Sequence, residues 1–334
     1  MDNRRVLIDS LPSGKLEAGN YRLVTEAAPE AEEGQVLCRT LALTIGAGTR
    51  AGLQGSASYA GAPKSGIVMN GTTVSRVVAS RSADVAEGAL VVCPGGWQDY
   101  SVHDAREVSV VQDGVDPAEY LGVLGTNGLT AYFGLLDVGQ PKAGETVLVS
   151  AAAGSVGHIV GQIARIQGCR VVGVAGSEAK CDRLVNELGF DAAVNYKDDG
   201  FRAAAKGACD QGVDVYFDNT GGDILGTALR LMNVGGRIAC CGVVSQYDTS
   251  DPSPGPRGVP GLLVNKRITM RGFLVFDFQD RYEEARTDLR GWMAEGKLTA
   301  WVDEVQGLEN APDAFVDLLA GGNTGTRVVR VSDA

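Results

Sequence analysis

The stretch Thr146-Val-Leu-Val-Ser-Ala-Ala-Ala-Gly-Ser-Val-Gly157, continued by His158-Ile-Val-Gly-Gln-Ile-Ala-Arg-Ile-Gln167, decides the fold. The apolar run 146–150 has the length of a buried strand. Ile159, Ile163 and Ile166 then recur at helical spacing until Gly168 stops the run. A strand entering a helix through a glycine-rich turn is the phosphate-binding element of a dinucleotide fold. Gly154 lets the backbone turn closely, and Gly157 lets the helix approach the sheet. The amides that open the helix, around Gly154, Ser155, Val156 and Gly157, face a bound pyrophosphate, aided by the helix dipole. The motif is an Ala-x-x-Gly-x-x-Gly form of the usual fingerprint.

Outward from this element the pattern repeats. Residues 170–175 read as a second strand, 178–188 as a helix ending at Gly189-Phe190, and 192–196 as a third strand. Further strands are expected at 213–217, 237–244 and 268–275, with a helix at 223–232. Strands alternating with helices imply a parallel sheet wound on both faces. The first 120 residues differ: short strands at 6–8, 21–24, 35–43, 72–79 and 89–92 are separated by Gly, Pro and polar turns, as in an antiparallel, barrel-like module. The tail ends in an apolar strand, 326–331, expected to return to that module. The fold class is therefore α/β, with a doubly wound domain at 125–295 inserted into a β-rich domain formed by 1–124 and 296–334. The Pro/Gly-rich segment 251–261 reads as a loop, and Trp97 as barrel core.

Composition narrows the function. With 334 residues and 44% hydrophobic, the chain can bury two cores. The 46 glycines follow no Gly-X-Y period, which excludes collagen. A net charge of -11 without a Lys/Arg-dense run speaks against nucleic-acid or anionic-membrane surfaces. No window approaches the ~18–20 apolar residues of a membrane span, and 6–8 is too short for a signal-peptide core. Seven cysteines, an odd number at scattered positions, read as reduced thiols of a cytoplasmic protein. No Cys-x-x-Cys pair exists and the two histidines, His103 and His158, have no companion ligands, so no metal site is expected. His158 is expected to face solvent.

The end of the second strand selects the dinucleotide. An NAD site places Asp or Glu there to hold the ribose hydroxyls. Here the end is Val174-Ala175-Gly176-Ser177, which leaves room for a phosphate that Ser177 can bond and Lys180 can partly neutralise. Tyr196, closing the third strand, flanks the same place. NADPH is the expected cofactor.

Several motifs recur together: Gly128-Leu-Thr-Ala-Tyr-Phe-Gly-Leu-Leu-Asp137, the Gly154 loop, Val160-Gly-Gln-Ile-Ala164, Asp218-Asn-Thr-Gly-Gly222, Trp292-Met-Ala-Glu-Gly-Lys297 and Leu308-Glu-Asn-Ala-Pro312. With these the chain resembles zinc-free medium-chain dehydrogenase/reductases of the prostaglandin reductase (leukotriene hydroxydehydrogenase) branch, which includes bacterial curcumin reductases. The match is dense from about residue 121 onward and thin before it. The resemblance implies a GroES-like catalytic domain, an inserted Rossmann domain, a cytosolic homodimer, and NADPH-dependent reduction of the carbon-carbon double bond of a conjugated carbonyl substrate. It also implies that Thr130, Gly154, Ser155, Lys180 and Tyr196 hold the phosphates. Asn219, Cys241, Gly242, Ser245 and Tyr247 would line the ribose and pyrophosphate. Phe273, Leu274 and Val275 would fix the nicotinamide amide through their backbone, and Asn323 would reach the cofactor from a closing loop.

The chain departs from the family near the expected substrate pocket. The usual Asp-Pro-Tyr-Met-Arg segment is Gly46-Ala-Gly-Thr-Arg50, and Met-Pro before Gly-Leu-Thr is Thr126-Asn127. Asn265 stands where animal and plant members carry a tyrosine before the sixth strand. The catalytic candidates left are Tyr59, as proton donor, with Tyr247 and Asn265. Two alternatives stand beside double-bond reduction: a zinc-independent carbonyl or alcohol oxidoreductase, and a non-catalytic NADPH-binding protein.

Overall fold

Six strands between residues 146 and 272 pair side by side as one sheet. They are β1 (Thr146–Val149), β2 (Arg170–Ala175), β3 (Ala192–Asn195), β4 (Val213–Asp218), β5 (Met232–Cys240) and β6 (Thr269–Gly272). Their order is β3-β2-β1-β4-β5-β6 and every pairing is parallel. This is the doubly wound dinucleotide order, whose direction reverses between β1 and β4; ligands bind outside the carboxyl ends of the strands at that point. The computed structural model describes residues 1–57, 62–112, 114–251 and 255–333. The chain divides into two compact units, Met1–Gly122 with Val302–Ala334, and Val123–Trp301.

In the parallel-sheet unit the helices are α1 (Gly157–Ile166), α2 (Glu178–Leu188), α3 (Phe201–Ala208), α4 (Gly222–Leu231), α5 (Val259–Lys266) and α6 (Tyr282–Ala294), with a further helix, Thr126–Phe133, ahead of β1. The ends of α2 follow directly from its sequence: the Ser177 side chain accepts from the Lys180 N–H, and Gly189 stops the helix with φ 66°. One face of the sheet buries Leu148, Val172, Val174, Tyr216 and Ile238 against Phe201, Leu225 and Leu229. Each such side chain contributes about 1.5–3 kcal/mol on leaving water.

Two expectations need correction here. Segment 251–261 is not loop throughout, because α5 starts at Val259; Pro260 in its first turn lacks an N–H that a helix start leaves unpaired anyway. Strands β5 and β6 stop at Cys240 and Gly272, so residues 241–244 and 273–275 lie beyond them. At the first of these the Cys241 and Gly242 N–H groups turn back onto Asp218 O, at 2.8 and 3.1 Å, which ends the ladder.

The other unit is β-rich. Its seven-stranded sheet runs Val302–Gln306, Thr326–Arg330, Gln35–Ile45, Thr73–Ser80, Leu90–Cys93, Ser109–Val110, with Tyr100–Asp104 also paired to Gln35–Ile45. The chain's tail does return to this module: Arg327 stands opposite Ile45 and Arg330 opposite Ala42 in an antiparallel pairing. Trp97 lies in its core, stacked on Tyr21 at 5.4 Å between centroids and edge-on to Phe315 at 6.0 Å. Among the described residues no helix is long and apolar enough to cross a membrane.

Candidate dinucleotide site

The carboxyl ends of β1 and β4 are joined by a buried polar network. The Asn219 N–H donates to Ser150 Oγ at 2.9 Å, and its Nδ2 donates to Ser150 O at 2.7 Å. Next to it, Asp218 Oδ1 accepts from the Tyr216 hydroxyl (2.8 Å), the Thr220 N–H (3.0 Å) and the Gly221 N–H (2.8 Å). Burial and the adjacent Asp218 carboxylate hold the Tyr216 hydroxyl well above its ordinary pKa, so it stays protonated and donating. Buried polar groups tolerate such a place only when partnered, and these are. The network fixes the edge of the crevice where β1 and β4 part.

The turn after β1 is shaped for close approach. Ala151 takes φ 46°, a left-handed conformation that a non-glycine residue adopts at a cost of about 1–2 kcal/mol. Its carbonyl accepts from the Gly154 N–H at 2.9 Å. A Cβ on Gly157 would stand 2.2 Å from that same carbonyl oxygen and 2.8 Å from Ala152 Cα, so only glycine lets α1 start here. The ten-residue α1 thereby opens its first turn, the positive end of its dipole, beside the crevice.

His158 corrects a sequence expectation. It is fully buried instead of facing solvent, its Nδ1 lies 2.8 Å from Gly154 O, and its Nε2 lies 3.2 Å from the Trp301 nitrogen. The isoleucine stripe on α1 marks one buried face, but Gly157 to Ala164 are all buried, and Gln162, flanking the stripe, bonds Thr299. Segment 299–301 covers that side.

At the end of β2, Gly176, Ser177, Lys180 and Tyr196 come together. A Cβ on Gly176 would lie 3.2 Å from the Tyr196 ring and 3.5 Å from Lys197 Cε. Ser177 Oγ accepts from the Lys180 N–H at 3.3 Å, which leaves its hydroxyl proton to donate elsewhere. Tyr196 is 44% exposed and the Lys197 ammonium lies 5.9 Å from its ring centroid. Lys197 is a residue the sequence reading missed; its position directly after Tyr196 at a strand end was the available signal. Gly176, the Ser177 and Tyr196 hydroxyls and the Lys197 ammonium thus meet beyond the end of β2.

Of the remaining residues, Asn219, Cys241, Gly242, Ser245 and Tyr247 form one connected group around the end of β4. Ser245 Oγ donates to Thr220 O at 2.6 Å, and the Tyr247 hydroxyl accepts from the Val243 N–H at 3.3 Å. Burial and the nearby Asp218 push the Cys241 thiol up to about 12, so it stays protonated. Thr130 Oγ1 donates to Thr126 O at 2.6 Å. Phe273 follows β6 and fills the space over Gly134, edge-on to Phe217 at 6.2 Å. Leu274 is exposed and Val275 buried. Asn265 is exposed on α5, where its carbonyl accepts from Arg267. Asn323 belongs to the other unit, where its Nδ2 donates to Gly325 O at 2.8 Å. Tyr59 lies outside the described residues. Among the described residues no group of three or more His, Cys, Asp or Glu stands together as metal ligands.

A family model described as zinc-binding dehydrogenase matches residues 155–290, and one described as the N-terminal domain of oxidoreductase matches residues 4–111. The chain is 41% identical over 335 residues to an NADPH-dependent curcumin reductase of Escherichia coli (strain K12), covering 99% of this chain and 97% of that protein. It is 41% identical over 318 residues to prostaglandin reductase 1 of Bos taurus, covering 93% and 94%. The crystal structure of CurA in complex with NADPH from Vibrio vulnificus superposes with a TM-score of 0.95 at 40% identity, covering 99% of this chain and all of that one. The chain belongs to the zinc-binding-dehydrogenase family of medium-chain oxidoreductases, in the branch of the curcumin and prostaglandin reductases.

Proposed function

We propose that the protein reduces the carbon-carbon double bond of α,β-unsaturated ketones or aldehydes with NADPH. The observation that carries the reading is the pairing of the Gly154–Gly157 turn with a second-strand end that offers Ser177, Lys180, Tyr196 and Lys197 where an NAD site would place a carboxylate. Its relatives include an NADPH-dependent curcumin reductase and a prostaglandin reductase, which supports this reading. When bound, NADPH supplies a hydride to the β-carbon of the conjugated carbonyl.

The chain's own residues bind and orient. In this reading the turn Gly154, Ser155, Val156 and Gly157 holds the pyrophosphate, with Thr130 beside it; the Gly154 N–H is itself kept within the turn by Ala151 O. Gly176, Ser177, Lys180 and Tyr196 hold the 2′-phosphate, and Asn219, Cys241, Gly242, Ser245 and Tyr247 line the ribose and pyrophosphate. The backbone of Phe273, Leu274 and Val275 orients the nicotinamide amide. As hydride reaches the β-carbon, the double-bond electrons move toward the carbonyl oxygen, where a donor stabilises the charge. Tyr59, Tyr247 and Asn265 are the donors proposed here, with Tyr59 or water returning a proton to the α-carbon. Residues 1–124 with 296–334 form the substrate-binding, GroES-like domain, and 125–295 the NADP-binding domain.

The same reading takes the protein as a cytoplasmic homodimer. Seven free cysteines suit a reducing compartment, and β6 is an exposed edge strand that a second copy can extend. The test is NADPH oxidation across a panel of conjugated enones and enals with products identified by mass spectrometry. Saturated carbonyls are expected. Allylic alcohols would reassign the enzyme to carbonyl reduction, and NADPH binding without turnover on any of them would make it a non-catalytic binder.

A further inference from the structure

His158 has no exposed surface, and both of its ring nitrogens are engaged. The Trp301 main-chain nitrogen is only a donor, so Nε2 at 3.2 Å accepts from it and carries no proton. The ring is therefore the neutral tautomer protonated on Nδ1, which donates to Gly154 O at 2.8 Å. The ring lies nearly parallel to the Trp301 indole, 9° between planes and 6.0 Å between centroids. Arg183 lies 4.5 Å from that indole and is itself gripped by both carboxylate oxygens of Glu187. One turn along α1, Gln162 accepts from the Thr299 N–H at 2.7 Å and donates to Thr299 O at 3.0 Å. Segment 299–301 is thus stitched to α1 just before the chain leaves this unit at Trp301.

The bond to Gly154 has a consequence for the turn. Without the imidazole, the Gly154 carbonyl would keep only the long helical bond from the His158 N–H, at 3.3 Å. A trans peptide is planar, so a carbonyl held toward His158 turns the Ser155 N–H the opposite way, away from the body of the helix. That N–H belongs to the turn proposed above to hold the pyrophosphate.

We infer that His158 is a positioning residue for the dinucleotide pyrophosphate: through Gly154 O it sets the direction of the Ser155 amide, and through Trp301 it ties that turn to the exit segment. The inference rests on the dinucleotide reading of this site. Two conservative variants separate the two bonds. His158→Asn places an amide N–H where Nδ1 stands and falls short of Trp301. His158→Gln reaches the Nε2 position and leaves Gly154 O unbonded.

The experiment titrates wild type, His158→Asn, His158→Gln and His158→Ala with NADPH by calorimetry, and melts each protein without cofactor. Wild type and His158→Asn are expected to bind within about twofold of each other. His158→Gln and His158→Ala are expected to bind about tenfold more weakly, the size of one lost hydrogen bond. Equal affinity in all four proteins, or losses that follow the melting temperatures instead of the retained bond, would overturn the inference. Failure of the wild type itself to bind NADPH would overturn the dinucleotide reading beneath it, and the inference with it.

Discussion

Asn219 grips Ser150 twice, with its main-chain N–H on the hydroxyl at 2.9 Å and its side-chain amide on the carbonyl at 2.7 Å. These two residues directly follow β4 and β1, the neighbouring strands at which the strand order reverses. The crevice is therefore closed at its base by a side chain that the sequence reading assigned to the cofactor. The contact is buried, so its loss is not readily repaired by water.

Asn219→Ala leaves the Ser150 carbonyl short of a donor. It is expected to cost about 1–3 kcal/mol of stability, read as a lower urea midpoint with an unchanged slope, and to raise the NADPH KM. An unchanged midpoint would show that the clamp is replaceable.

Two glycines make opposite predictions. Gly157→Ala sets a methyl 2.2 Å from a backbone oxygen that cannot swing aside, and is expected to destabilise by about 1–3 kcal/mol while lowering NADPH affinity at least tenfold. Gly291→Ala, inside α6 with open space around the new methyl, is expected to stabilise by about 0.5–1 kcal/mol without touching NADPH affinity. Urea unfolding and NADPH titration of the two variants check both.

Much of this was legible because it is local. Helix α2 was readable from residue 178 to 188, since the Ser177 cap and the Gly189 stop lie in the chain itself. The Gly154–Gly157 turn was readable for the same reason. His158 was not: what buries it is Trp301, 143 residues on, and helical periodicity carries no trace of a distant segment. Asp218 was visible only as part of a motif, because its partners Tyr216, Thr220 and Gly221 declare themselves only once the strand end is folded. Lys197 was passed over for Tyr196, although the two share one end of β3.

Lys180→Ala removes a cation from the expected 2′-phosphate site. The NADPH KM is expected to rise roughly tenfold or more, as for the loss of a charge-assisted hydrogen bond, while NADH use changes less than about twofold. Equal losses with both cofactors would contradict the phosphate assignment.

Burial drives the His158 pKa down to about 4 from its ordinary 6.5. Between those values the unfolded chain takes up a proton that the folded one refuses. Stability is therefore expected to fall as pH drops through this window, by about 1.4 kcal/mol per pH unit from this residue. The charged groups on the Trp301 side, Arg183 and Glu187, are present in the variant too. A His158→Gln protein should lose that part of the slope, and urea midpoints from pH 7 to 4 measure it; identical slopes in both proteins would mean that His158 is protonated in the fold.

The central claim is hydride delivery to the β-carbon of a conjugated carbonyl, and isotope transfer tests it most directly. The protein is given an enone and NADPH deuterated at the transferring position of nicotinamide C4, and the product is read by mass spectrometry and deuterium NMR. The expected product is the saturated ketone with one deuterium on the β-carbon. Deuterium on the carbonyl carbon of an allylic alcohol, or a reduced product with none, would contradict the account.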